Sequence, residues 1–77
     1  SINVKFEHKN LNELSNVKKT LYKVNIIDNF NLEKFSIKDS DFKIFYYGNP
    51  KRLKLELLSF GYDLNNEKGY WGLKLNE

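Results

Sequence analysis

The tripeptide Gly48-Asn49-Pro50 constrains the fold of this chain more than any other feature. Before it, "FKIFYY" alternates: Phe42, Ile44 and Tyr46 share one face, and Lys43, Phe45 and Tyr47 the other. That is the period of a strand with one buried side. After it, Leu53, Leu57 and Phe60 recur at helical spacing, with Leu58 beside them. Gly48 stops the strand and Asn49 can cap the helix. Pro50 falls at the first helical position, where its missing N–H costs nothing. Gly61 is the expected helix stop.

The flanking segments read the same way. "INVKFEH" alternates, with Ile2, Val4 and Phe6 opposite Asn3, Lys5 and Glu7, and predicts a first strand. Leu11, Leu14, Val17, Leu21 and Val24 then form the stripe of an amphipathic helix. Asn10 is its expected N-cap, with Glu13 placed as in a capping box. In "FNLEKFSIK", Phe30 and Leu32 have one parity and Phe35 and Ile37 the other. Both pairs reach a core only across a bulge near Glu33-Lys34. "KDSD" predicts a hairpin turn. "YDL" and "YWGLKL" predict two final strands joined by "NNEKG", with Trp71, Leu73 and Leu75 on the inner face.

This order predicts an α+β fold: a ferredoxin-like split βαβ sheet (β-α-β-β-α-β-β), antiparallel-rich, with two helices on one face and an extra hairpin at the end. The 77 residues suffice for one domain, spanning 1–77. Six Phe, five Tyr and one Trp supply enough large side chains for a compact core without cross-links. The chain opens inside a strand without a Met, so it is expected to be a fragment of a longer protein.

Composition narrows the chemistry. There are no cysteines, which excludes disulfides, thiolate catalysis and cysteine metal sites. The net charge of +3 is mildly basic, well short of a nucleic-acid arm. No run approaches the ~18–20 apolar residues of a membrane span. His8 is the single histidine. It reads as a surface or strand-end residue, and a catalytic pair would need a remote carboxylate such as Asp63 or Glu67. Ser15, Ser36, Ser40 and Ser59 lie in no nucleophile motif. Asp39 and Asp41 are too few acids for calcium and suit a turn. No enzyme activity, metal or cofactor is expected.

Two binding sites remain as candidates. The outward face of the third strand presents Lys43, Phe45 and Tyr47, an interaction patch for a protein partner or a neighbouring domain of the same chain. The same rings, with Lys5 and Lys74, define a rival reading as an RNA or single-stranded nucleic-acid surface. The basic-Gly-aromatic strand signature of RNA-recognition domains is absent, however. A second alternative is a small-anion or ligand sensor at the helix start, using Gly48, Asn49, Lys51 and Arg52.

Several of these residues also carry a family resemblance. The order Tyr46-x-Gly48-Asn49-Pro50-x-x-Leu53, then Leu57, Gly61 and Leu64, then Trp71-x-Leu73, resembles an uncharacterised domain family of proteobacterial envelope proteins. That family runs Tyr-x-Gly-Asp-x-x-x-Leu, a leucine-rich helix ending in Gly, and a closing Trp-x-Leu. Leu14, Val17 and Leu21 stand where it has Trp, Val and Leu. The chain departs from it at Leu14, at Glu56 in place of a small residue, and at Phe60 in place of a polar one. The resemblance covers about residues 10 to 75 and implies no activity and no catalytic residue. It does imply a piece of a longer exported protein in the periplasm or cell envelope, while the composition alone is equally compatible with the cytoplasm. The expectation is therefore a monomeric, non-catalytic binding or assembly module that works through protein-protein contacts.

Overall fold

A computed structural model of the chain describes residues 1–67 and 69–76. Its elements follow the expected order: β1 (Ile2–Glu7), α1 (Leu11–Lys23), β2 (Ile27–Phe35), β3 (Asp39–Tyr46), α2 (Pro50–Ser59), β4 (Tyr62–Glu67) and β5 (Tyr70–Leu75). The fold is α+β, with a five-stranded mixed sheet in the order β2-β3-β1-β5-β4. β1 pairs antiparallel with β3 and parallel with β5. The β2–β3 and β4–β5 pairs are antiparallel.

This strand order differs from the ferredoxin-like expectation, where the strand after the second helix lies directly beside β1. Here β5 takes that place and β4 moves to the sheet edge. The sequences explain the exchange. β5 carries Trp71, Leu73 and Leu75 on one face along its whole length, as an inner strand requires. β4 turns polar after Leu64, which suits an edge. β4 is also longer than expected. It continues through Asn65 and Asn66 to Glu67, which pairs with Tyr70, while Lys68 of the anticipated turn lies outside the described residues.

Burial in β1 alternates without exception, Ile2, Val4 and Phe6 being buried and Asn3, Lys5 and Glu7 exposed. The buried residues join Phe42 and Ile44 of β3, Tyr62 and Leu64 of β4 and Leu73 of β5. The same core takes in Leu14, Val17 and Leu21 from α1 and Leu53 and Leu57 from α2. Both helices therefore cover one face of the sheet, as expected, and the other face is open.

The caps match the sequence reading. Asn10 Oδ1 accepts the Glu13 N–H at 3.0 Å. Glu13 Oε1 in turn accepts the Lys9 N–H at 2.8 Å, one residue earlier than in a standard capping box. Asn49 Oδ1 accepts the Arg52 N–H at 2.9 Å, and Pro50 stands at the helix start. Gly48 and Gly61 have φ of +96° and +89°, values that a side chain would strain.

The packing corrects the reading at several points. Leu11 and Phe60 belong to the two helical stripes by spacing, yet are 60% and 42% exposed. They sit at the outermost turns, beyond the reach of the sheet. The bulge appears where it was expected, between Leu32 and Lys34. It brings Phe35 opposite Ser40, but Phe35 is still 64% exposed, and Ile37 77%. They close an edge hairpin that no helix covers. The turn is also two residues earlier than "KDSD": Ser36 Oγ accepts the N–H groups of Lys38 and Asp39, and Asp39, Ser40 and Asp41 already belong to β3. Trp71 is only half-buried against the core.

Both sheet edges are guarded. A second bulge interrupts β2 between Ile27 and Asn29. On β4, Lys54 reaches across from α2 and donates to the Leu64 carbonyl and to Asn65 Oδ1, each at 2.8 Å, with Asp63 Oδ1 at 3.8 Å.

Candidate functional site

The open sheet face brings together part of the expected patch. Lys43 and Phe45 are half-buried there, and the Lys43 ammonium sits 5.5 Å from the centre of the Phe45 ring. Across the face, Lys5 stands in the same relation to Tyr70 at 5.6 Å. These are cation–π pairs, each worth about 0.5–1 kcal/mol at exposed sites. The Lys5–Tyr70 pair was not foreseen. Its signal was the shared outward parity of Lys5 and Tyr70 on strands that become neighbours only once β5 lies next to β1. A shallow groove of about 330 Å³ opens beside the Lys5–Tyr70 pair, bordered by Asn3, Lys5, Glu33, Asp41 and Tyr70.

Tyr47 stands apart from this pair. It lies just past the end of β3, 64% exposed. Its N–H donates to the Ile26 carbonyl at 2.8 Å, and its hydroxyl hydrogen-bonds the Asp28 carboxylate. That bond, reinforced by the carboxylate's charge, raises the tyrosine above its ordinary value of 10.0, because the phenolate would face a second anion. The neutral phenol is thus favoured by the fold. Its stabilising effect is complete below the ordinary pKa and is lost as pH rises through the folded-state value. In a phenolate absorbance titration read as a difference against Tyr47→Phe, Asp28→Asn is expected to lower the Tyr47 midpoint. An unchanged midpoint would show that Asp28 does not set it.

At the start of α2, Gly48, Asn49, Lys51 and Arg52 come together, and the helix caps part of its own donor set. Asn49 takes the Arg52 N–H through its side chain and the Leu53 N–H through its carbonyl. Pro50 has no N–H to offer. The Arg52 guanidinium leans toward Glu56, with Nε 3.7 Å from Oε2.

His8 overturns its reading as a surface residue, being only 5% exposed. Its Nε2 lies 2.8 Å from Oγ of Ser40, itself 1% exposed. The ring stacks on Phe6 with centroids 5.6 Å apart. The carboxylates considered for it do not serve: Asp63 faces Lys54, and the Glu67 side chain lies outside what the structure describes. The partner is a serine that the sequence placed in a turn. A serine so deeply buried cannot reach a substrate, so the pair is not a nucleophile and base. Nδ1 of His8 is buried without a hydrogen-bond partner. Asp39 and Asp41 lie on β3 with no third ligand: among the described residues there is no group of three or more His, Asp or Glu side chains placed to hold a metal.

No protein-family profile, no curated protein and no solved structure matches this chain.

Proposed function

We propose that this domain is a non-catalytic binding module that holds a protein partner, or a neighbouring domain of its own chain, on the open face of its sheet around Lys43 and Phe45. The observation that supports this reading is the one-sided packing. Both helices cover the same face, while the other displays Phe45 and Tyr70 with a lysine over each ring. Rings and charges gathered on an uncovered surface are the composition of an interface centre. We read the sheet as a ferredoxin-like plan in which the β4–β5 hairpin substitutes for the single last strand. The guarded edges at β2 and Lys54 support a monomer, because neither edge presents a clean ladder for a second copy. Placement in a larger envelope protein rests on the sequence resemblance. No helix among the described residues is long and apolar enough to cross a membrane.

The same lysine–ring pairs favour one rival, single-stranded nucleic acid, because charge and rings share a face. Asp41 and Glu33 border that face and oppose phosphate.

The test places a photo-crosslinking residue at position 45, and as a control at position 51, in the full-length protein in its host. A discrete protein adduct, or an intramolecular crosslink, is expected at 45 and not at 51. Equal adducts at both positions would overturn the reading. Phe45→Ser with Tyr47→Ser should abolish the adduct formed from a probe at position 43 while leaving the fold intact. A stability loss above ~3 kcal/mol would instead identify the rings as core. Saturable binding of a mixed oligonucleotide at low salt, weakening steeply as salt rises, would favour the rival.

A further inference from the structure

We propose that the outer side of the two helices is a docking surface for an anionic lipid bilayer, on which the domain lies with α1 and α2 against the headgroups. This surface is on the opposite side of the molecule from the open sheet face and does not depend on the reading given above. Charge singles it out. The two helices hold six of the thirteen basic residues and two of the ten acidic ones, Glu13 and Glu56. Their net charge is therefore +4 while the whole chain carries +3, so the strands and loops together sum to −1. The two acids are engaged: Glu13 turns back to the Lys9 N–H at the cap of α1, and half-buried Glu56 offsets Arg52. Lys54 is drawn to the β4 edge. That leaves Lys18, Lys19, Lys23 and Lys51, none of which has a partner among the described residues.

The helical period sets where these groups point. Lys19 and Lys23 are exposed one turn apart on α1, away from the buried Leu14, Val17 and Leu21. On α2, Lys51 and Leu55 are likewise one turn apart, with Leu58 beside them. Leu55 stands two residues from both Leu53 and Leu57, so it points away from the core that they enter. It is 55% exposed and Leu58 40%, and neither belongs to the core. On α1, exposed Leu11 and Tyr22 border a shallow groove together with Lys18 and Lys19. Cations interleaved with apolar side chains on the outer side of a helix fit a membrane interface: the apolar groups enter the headgroup boundary and the lysines meet anionic lipid. A nucleic-acid backbone would satisfy the lysines and leave Leu55 and Leu58 in water. The spread of the lysines over two helices also suits a fluid surface, whose headgroups can gather beneath each one. In this orientation the open sheet face, with Phe45 and Tyr70, is turned away from the bilayer.

The test is flotation of the chain with vesicles made of equal parts of phosphatidylcholine and phosphatidylglycerol, against vesicles of phosphatidylcholine alone. Saturable binding is expected to the mixed vesicles and far weaker binding to the neutral ones. Lys19→Gln combined with Lys23→Gln should weaken it about thirtyfold, since each lysine near an anionic surface contributes about fivefold. The charge-matched pair Lys34→Gln and Lys74→Gln, on the strands, should weaken it by less than about threefold, because salt screens distant charges. Leu55→Gln with Leu58→Gln should weaken it about tenfold through lost apolar burial. All six positions are exposed, so these variants keep the fold, which circular dichroism verifies. Four results would overturn the proposal: no binding to the mixed vesicles, equal binding to both kinds, equal losses from the two lysine variants, or a leucine variant that binds as the parent does. The last would mark a surface that reads charge alone, as one for nucleic acid does.

Discussion

Phe6→Ala is expected to cost about 3–5 kcal/mol, the range for truncating a fully buried aromatic. A domain of this size holds roughly 4–12 kcal/mol in total, so the variant should be largely unfolded or close to it at ambient temperature. The size of the effect follows from position. β1 is the central strand, and Phe6 is 0% exposed. It stands opposite Ser40 on one neighbour and Leu73 on the other. Its ring meets Tyr62 edge-on with centroids 5.9 Å apart and stacks on His8 at 5.6 Å. Removing it opens a void that touches four strands, and the short surrounding elements have little freedom to collapse into it. Urea denaturation monitored by the single tryptophan measures the loss. Phe6→Leu should cost under about 1.5 kcal/mol because most of the volume is kept. If Phe6→Ala lost no more than Phe6→Leu, the ring would not be the keystone of this core.

The second large effect concerns the buried polar pair. Ser40→Ala removes the partner of His8 Nε2 and leaves both ring nitrogens of a 5% exposed residue unsatisfied. The expected cost is about 1–3 kcal/mol, the desolvation penalty of an abandoned polar group. His8→Phe alone strands the Ser40 hydroxyl and should lose a similar amount. The double variant should be more stable than the sum of the singles predicts, by about 0.5–3 kcal/mol, because no polar group is then left unpaired and Phe extends the stack on Phe6. Additive losses in denaturant melts would show that the 2.8 Å contact contributes nothing to folding.

The local features were legible in the sequence because local chemistry decides them. The Asn10 and Asn49 caps, Pro50, the Gly61 stop and the bulge beside Glu33 each follow from a few adjacent residues. So does the inward set Val4, Phe6, Phe42, Ile44, Leu53 and Leu57, which two periodicities select. Strand order was not legible. Whether β4 or β5 lies beside β1 depends on comparing two whole strands for their apolar run, which no single motif encodes. Errors of coverage at Leu11, Phe35, Ile37 and Phe60 share one cause: periodicity reports the face a residue points to, not whether anything lies above it. The site divides in the same way. Lys43 and Phe45 were placed on the open face by alternation alone. The Lys5–Tyr70 pair, the Lys54 brace and the His8–Ser40 bond all link distant elements and exist only through the register. His8 was misjudged because its burial depends on a strand, β3, that begins three residues earlier than the apolar alternation suggests.

The parallel pairing of β1 with β5 has a consequence for how the domain is made. Val4 finds its partner at Trp71, so the first and last strands meet in the middle of the sheet. β4 joins the sheet only through β5. Long-range pairings of this kind slow folding, because the chain must close a large loop before any contact rewards it. During synthesis α1, the β2–β3 hairpin and its pairing with β1 can assemble early, but β1 keeps one bare flank until β5 has emerged. A nascent or proteolysed chain ending before Tyr70 therefore lacks two strands of the sheet and exposes the edge of its central one.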